Sequence, residues 1–299
     1  MTTVAGLQAC AFCGLSDTAC LDVDCEHRFD ETRVSTAATV EGLPSYRTQP
    51  QDRLRCGPLI NPLLAWLGSA APDVLCLQEL KCTDDQFPRA EVEAVGYRCC
   101  TFGQKTYNGV ALLTRHAVSA EVRNIDDGEA DEQARLLMAT VDGVRIVSLY
   151  APNGQEVGSE AHEYKLGWYR RLERWLAKLP PGPLVLAGDF NVAPDELDVW
   201  DPRLFQGRTL FSEPERRALK SLTRSLGLVD AVRSLHPTEP MFSWWDYRML
   251  GFQKNHGLRI DHLLLSADLA PRLKAAGVDR QARKGKQPSD HAPVWIELA

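Results

Sequence analysis

The first sixty residues of this 299-residue chain show no sustained hydrophobic period of 2 or 3.6, whereas from Leu63 onward the pattern becomes regular. Leu63 to Leu67 reads as the end of a helix, closed by Gly68 and followed by Pro72. Asp73-Val-Leu-Cys-Leu-Gln78 then reads as a buried strand. Further short apolar strands are predicted at Gly109 to Thr114, Leu136 to Val141, Val144 to Tyr150, Leu184 to Ala187, Ile260 to Leu265 and Ala292 to Leu298. Between Glu163 and Leu179, residues Leu166, Tyr169, Leu172, Leu176 and Leu179 recur at three- and four-residue intervals, with Arg170, Arg171, Glu173 and Arg174 between them. That is an amphipathic helix, and Pro180-Pro-Gly-Pro183 stops it. Strand pairs interleaved with single helices and joined by long loops predict two packed sheets with helices outside.

Composition narrows the class. With 44% hydrophobic and 25% charged residues the chain can bury one large core, and a single globular domain is the expectation. A net charge of −6 argues against a protein that coats nucleic acid passively, since such proteins owe their affinity to Lys and Arg. The charge is uneven, however: residues 201–299 carry 16 Lys/Arg and 11 Asp/Glu, leaving 18 against 29 for residues 1–200. A polyanion would therefore dock on the C-terminal half, and an acidic cluster elsewhere would need cations before a phosphate could approach. Nine cysteines is an odd number and no secretory leader pattern opens the chain, which together predict a reduced, cytoplasmic protein. No apolar stretch approaches the ~20 residues of a membrane span.

Four predicted strand ends place an acidic or amide side chain where an apolar run stops: Glu79, Asp189 with Asn191, Asp261, and Asp290 with His291. Loops at strand ends are where a rigid scaffold presents catalytic groups. Breaking a phosphodiester needs a hard cation on oxygen ligands, a base for water and donors for transition-state charge. Glu79 and Asp290 suit the first role, Asp189 beside Asn191 the base and donor, and His291 backed by Asp261 an oriented imidazole. Taken singly, each has an ordinary alternative: a surface charge for Glu79, a loop-closing Asx turn for Asp189 and Asn191, a structural histidine for His291.

Order and spacing go further. Leu77-Gln-Glu79, Gly109-Val-Ala-Leu-Leu-Thr114, Tyr150-Ala-Pro152, Gly188-Asp-Phe-Asn191, Phe242-Ser-Trp-Trp-Asp-Tyr-Arg248, Gly257-Leu-Arg-Ile-Asp261 and Pro288-Ser-Asp-His-Ala-Pro293 occur in the order of the bacterial exonuclease III and abasic-site endonuclease family. The resemblance runs from Leu63 to Leu298. It implies a four-layered α/β sandwich of two mixed, mainly antiparallel sheets flanked by helices, Mg²⁺ or Mn²⁺ dependence, and action on duplex DNA by a monomer. Two activities follow from it: incision 5′ to abasic sites and removal of nucleotides from 3′ ends.

Carried over residue by residue, the resemblance makes Glu79 the principal metal ligand and Asp290 its completion. Asp189 would activate water or protonate the leaving oxygen, with Asn191 stabilising the transition state. Tyr150 would support the phosphate, and Asp261 would orient His291 against it. Asp189, Asn191 and His291 also count as candidate metal contacts. Trp244 resembles the aromatic that packs against an abasic sugar, although a core role like that of Trp66 or Trp175 is the plain alternative. Arg115, Arg135 and Lys105 are candidate phosphate contacts.

Residues 1–60 depart from the family, whose first strand ends in Trp-Asn-(Val or Ile)-Asn; no such run occurs here, and the family's spacing counted back from Glu79 reaches Asp52. Losing that strand would remove ladder hydrogen bonds as well as one side chain of the metal site. Val34 to Val40 is the best substitute strand, and a poor one. Cys10, Cys13, Cys20, Cys25 and His27 would make a small zinc site by one reading; by the other, the segment is a misread start joined to an intact nuclease body from about residue 61. The competing functions are a binder of abasic or nicked DNA that cannot cut, and a phosphatase or phospholipase of the same superfamily.

Overall fold

Alternation along the central strands decides which layer each side chain enters. The computed structural model describes residues 32–37, 57–284 and 288–299; the candidate zinc residues Cys10, Cys13, Cys20, Cys25 and His27 lie outside them. The described strands are β1 (Thr32–Ala37), β2 (Val74–Gln78), β3 (Arg98–Phe102), β4 (Val110–Thr114), β5 (Val118–Arg123), β6 (Leu136–Val141), β7 (Val144–Tyr150), β8 (Leu184–Asp189), β9 (Val229–Asp230), β10 (Asp261–Leu265), β11 (Leu273–Val278) and β12 (Val294–Leu298). They form two six-stranded sheets, ordered β11-β12-β1-β2-β4-β3 and β5-β6-β7-β8-β10-β9. Only β1 with β2 and β7 with β8 pair in parallel.

Period 2 assigns the faces. Val74 and Cys76 of β2, Leu137 and Ala139 of β6, Val185 and Ala187 of β8 and Leu263 and Leu265 of β10 share one core between the sheets. Their neighbours point outward. Leu75, Leu77, Ala111 and Leu113 pack with Leu67 of α1 (Gly57–Ala70) and Val92 of α2 (Arg89–Ala94). On the other side Leu136, Met138, Leu149 and Leu186 meet Trp168, Tyr169 and Leu172 of α3 (Glu160–Leu176). The result is the four-layered sandwich expected, with α4 (Pro202–Phe205), α5 (Glu213–Ser225), α6 (Ala231–Leu235) and α7 (Gly251–Lys254) completing the second half. No helix among the described residues is long and apolar enough to cross a membrane.

The expected amphipathic helix starts three residues early, at Glu160, because Ser159 caps it by accepting the His162 amide at 3.2 Å. The atypical N-terminal segment contributes β1, which lies between β12 and β2 with Val34 opposite Val74 and Ile296. The backbone thus fills the interior position that the missing family strand would otherwise have left unpaired. Near the same end the sheets are linked by a buried bond from Gln78 Nε2 to Ser148 Oγ at 3.2 Å.

Candidate active site

Strand direction gathers the candidate residues. Glu79 follows β2, Tyr150 ends β7 and Asp189 ends β8, whereas Asp261 opens the antiparallel β10 and His291 precedes the antiparallel β12. Register then sets Tyr150 opposite Asp189 on one flank and Asp261 opposite Asp189 on the other. All of these residues therefore occupy one edge of the sandwich. Gly188 makes the crossing possible: a Cβ there would sit 1.9 Å from the Leu149 carbonyl oxygen of the paired strand.

Asp189 and Asn191 form a closed unit. The Asn191 backbone N–H donates to Asp189 Oδ1 at 2.8 Å and its Nδ2 donates to Oδ2 at 3.0 Å and to the Ala151 carbonyl at 2.9 Å. Asn191 adopts φ 51°, in the left-handed region that asparagine tolerates better than most residues, as does Glu79 at φ 52°. Asn153, which sequence reasoning missed, donates from Nδ2 to Asn191 Oδ1 at 3.2 Å. The signal for it was the Asn-Gly step directly after the Tyr150-Ala-Pro152 motif.

His291 is locked by its partner, with Nδ1 lying 2.9 and 3.1 Å from the two carboxylate oxygens of Asp261. That leaves Nε2 as the ring atom available to a phosphate oxygen or metal. Burial alone would lower the imidazole's pKa, but Asp261, then Asp290 and Asp189, outweigh it and push it up to about 10. Burial, and after it the neighbouring Asp261 carboxylate, holds the Asp189 carboxyl well above its usual range. Burial likewise raises the Tyr150 phenol, and the Glu79 carboxylate, to which its hydroxyl is hydrogen-bonded, adds to the shift. Glu79 also sits 3.0 Å from Lys81.

The donor set fits a divalent cation. Asp189, Asp261 and His291 bring ligand atoms within 4.8 Å of one another, all buried. Asp290 uses Oδ2 to accept from Trp244 Nε1 at 2.8 Å, while its buried Oδ1 has no hydrogen-bond partner among the described residues. A buried carboxylate oxygen without a donor is costly unless positive charge faces it, and oxygen-rich clusters of this kind suit hard ions.

Comparison with known proteins decides the assignment. The model of the Endonuclease/Exonuclease/phosphatase family matches residues 42–291. The chain belongs to this family. It is 37% identical over 247 residues to exodeoxyribonuclease III of Haemophilus influenzae, covering 76% of this chain and 90% of that one. To the DNA repair nuclease APEX1 of Danio rerio it is 31% identical over 243 residues, covering 79% and 76%. Among solved structures, a 3′ phosphatase from Neisseria bound to a product DNA hairpin matches with TM-score 0.82 and 36% identity, covering 90% of this chain and 99% of that one. An AP endonuclease from Archaeoglobus fulgidus matches at 0.80 and 31%, covering 89% and 98%. Membership makes this chain a divalent-metal-dependent phosphodiester hydrolase.

The remaining candidates of this endonuclease/exonuclease/phosphatase protein are spread more widely. Trp244 is half-buried, bridged to Leu258 and His291 by backbone pairing, and it lines a cleft of about 860 Å³ with Trp200, Phe205, Arg208, Met249 and His256. Trp200 and His256 stack 3.7 Å apart on the wall of that cleft, and neither had been marked by the sequence. Lys105 is exposed in the loop after β3, at the site's end of its sheet. Arg135 is buried: its guanidinium lies 5.1 Å from the Tyr150 ring centre and donates to the Tyr150 carbonyl at 3.1 Å, so it braces Tyr150 from within. Arg115 is not brought to the site. It follows β4 at the opposite end of the sheet, where it pairs with Asp73 at 2.6 Å.

Proposed function

We propose that this chain is a DNA repair nuclease that cleaves 5′ to abasic sites and removes nucleotides from 3′ ends of duplex DNA with Mg²⁺ or Mn²⁺, acting as a cytoplasmic monomer. The observation that carries the reading is the junction of site and cleft: Asp290, whose charge acts on His291 of the acidic cluster, also holds the indole of Trp244, which walls the cleft. One residue thereby ties the group that senses nucleotide shape to the groups that handle phosphate. The names of the relatives, an exodeoxyribonuclease, a repair nuclease and a DNA-bound 3′ phosphatase, point the same way.

Glu79, Asp290 and Asp189 are the residues that would hold the cation, which supplies Lewis-acid charge at the scissile phosphate. The chain's own groups do the rest. Asp189, held between the Asn191 amide and its backbone N–H, is placed to take a proton from water or return one to the leaving oxygen. Burial, and after it the Asp261 carboxylate, favours the protonated form of Asp189, the direction expected of a carboxyl that hands on a proton. His291, charged and fixed by Asp261, and the Asn191 amide would stabilise the oxygens on which charge builds. Tyr150, steadied by Arg135, has its hydroxyl on Glu79 and would support the phosphate from there.

The test uses two labelled duplexes, one with an internal abasic analogue and one with a recessed 3′ end, each with Mg²⁺, Mn²⁺ or EDTA. Metal-dependent product from both supports the reading, and product from one alone assigns the specificity to that reaction. DNA retained uncut at every metal concentration would overturn it.

A further inference from the structure

Among the described residues, one fully buried ion pair reaches back to the loops of the site. Lys165 of α3 and Glu215 of α5 are both fully inaccessible, with Nζ 2.5 Å from Oε1. Lysine is almost never buried unless it is paired and every proton is used, and here all three are. Besides Glu215, Nζ donates to the backbone carbonyl of Asn191 at 2.7 Å and to that of Asn153 at 3.0 Å. Glu215 is equally saturated, accepting from Thr209 Oγ1 and the Leu210 N–H on one oxygen and from the Ser212 N–H and Oγ on the other.

Joining α3 to α5 does not require this arrangement. The two helices already share an apolar interface through Leu172, Trp175, Leu219 and Leu222, and an apolar pair of the same volume is often as stable as a buried ion pair. The carbonyls chosen by the ammonium are the distinctive feature. They belong to the two residues whose side chains form the chain Asn153 to Asn191 to Asp189. Gly154 confirms how closely the loop is drawn in: with φ +89°, a Cβ there would lie 2.9 Å from Lys165 Cδ.

We propose that Lys165 and Glu215 are a positioning pair, clamping the loops after β7 and β8 so that the hydrogen-bond chain from Asn153 through Asn191 to Asp189 keeps its place in the site. The pair touches no substrate and acts through Asn191. This inference rests on the assignment of Asn191 to phosphate handling.

The experiment is a double-mutant cycle on the recessed 3′ duplex with saturating Mg²⁺, comparing wild type, Lys165→Met, Asn191→Ala and the double variant. The positioning role predicts that Lys165→Met lowers kcat roughly 30-fold with KM within about threefold, and that the same change costs under about threefold in the Asn191→Ala background. A kcat near wild type in folded Lys165→Met would overturn it, as would equal losses in both backgrounds, which is how a merely structural pair behaves. Should Lys165→Met fail to fold, Glu215→Gln replaces it in the same cycle, and failure of both to fold would assign the pair to stability and end the proposal. Inactivity of the wild type would instead count against the nuclease reading itself.

Discussion

At the scale of single residues, the proposed function divides the site into groups that would meet substrate and groups that hold those groups still. Asn191 and Asp261 illustrate the two. Replacing Asn191 by Ala removes the amide that fixes the Asp189 carboxylate and that, in the proposed function, steadies the transition state, so kcat should fall roughly 10²- to 10³-fold, the usual effect of losing one preorganised polar group. Asp261→Asn keeps the size but withdraws the charge behind His291, and a loss on the order of 10²-fold is expected, within the range for a mispoised acid or base. Both variants should bind duplex DNA in Ca²⁺ with wild-type affinity in a filter assay. Weakened binding with unchanged turnover would show that these residues hold the ground state instead. The sequence revealed Asp189, Asn191, Asp261, Asp290 and His291 because each interrupts an apolar run at a strand end. Asn153 and Lys165 were harder to see for a physical reason: Asn153 acts through a loop bond and is marked only by the Asn-Gly step after Pro152, while Lys165 acts through backbone carbonyls and leaves no pattern along the chain.

At the scale of elements, legibility followed position in the sheet. The interior strands β2, β4, β6, β7, β8, β10 and β12 were all foreseen, because burial on both faces or against a helix makes them near-continuous apolar runs. The four missed entirely, β3, β5, β9 and β11, are the four edges of the two sheets. Edge strands bury less and carry charge, as Val118-Ser-Ala-Glu-Val-Arg123 does, so their period is faint. β1 is the exception, an interior strand of weak pattern, and its importance can be tested on backbone grounds alone. Ser35 lies in the middle of β1, paired to Trp295 on one flank and Leu75 on the other. Ser35→Pro deletes a ladder donor in a strand with no free edge and should cost ~3 kcal/mol or more, read as a lower urea midpoint. An unchanged midpoint would mean that β1 adds little to the sheet.

The end of the sandwich away from the site carries a second staple. His116, just after β4, contacts Asp142 in the β6–β7 turn at 2.6 Å and Asp73, ahead of β2, at 3.5 Å. The hydrogen bond to Asp73, against the opposing effect of burial and with help from Asp142, raises its pKa. A raised folded pKa means stability that is fully present below the unfolded value of ~6.5 and lost as pH rises through the folded value. The stability difference between wild type and His116→Gln should therefore shrink on going from pH 6 to pH 8.5. Partial exposure keeps the whole effect to about 1 kcal/mol or less. A difference that grows with pH would reverse the assignment.

At the scale of the whole molecule, a net charge of −6 belongs to a protein expected to approach a polyanion, and the apparent conflict is resolved by where the charge lies and what neutralises it. Residues 201–299 are net basic and supply much of the cleft wall, including Arg208, while the buried carboxylates cluster at one end of the sandwich. Those carboxylates repel one another without a cation, so the fold carries local instability that metal relieves. Metal at about 100 times its Kd should stabilise the protein by ~2.7 kcal/mol, a rise of several degrees in Tm that EDTA reverses. Asp290→Asn sharpens the test, since Asp290 presents a buried oxygen with no donor among the described residues. The variant should melt at or above wild type in EDTA yet gain little from Mg²⁺ or Mn²⁺. If it melts lower in EDTA and keeps the full gain, Asp290 serves mainly to hold the Trp244 indole, and the cation rests on Glu79 and Asp189 alone.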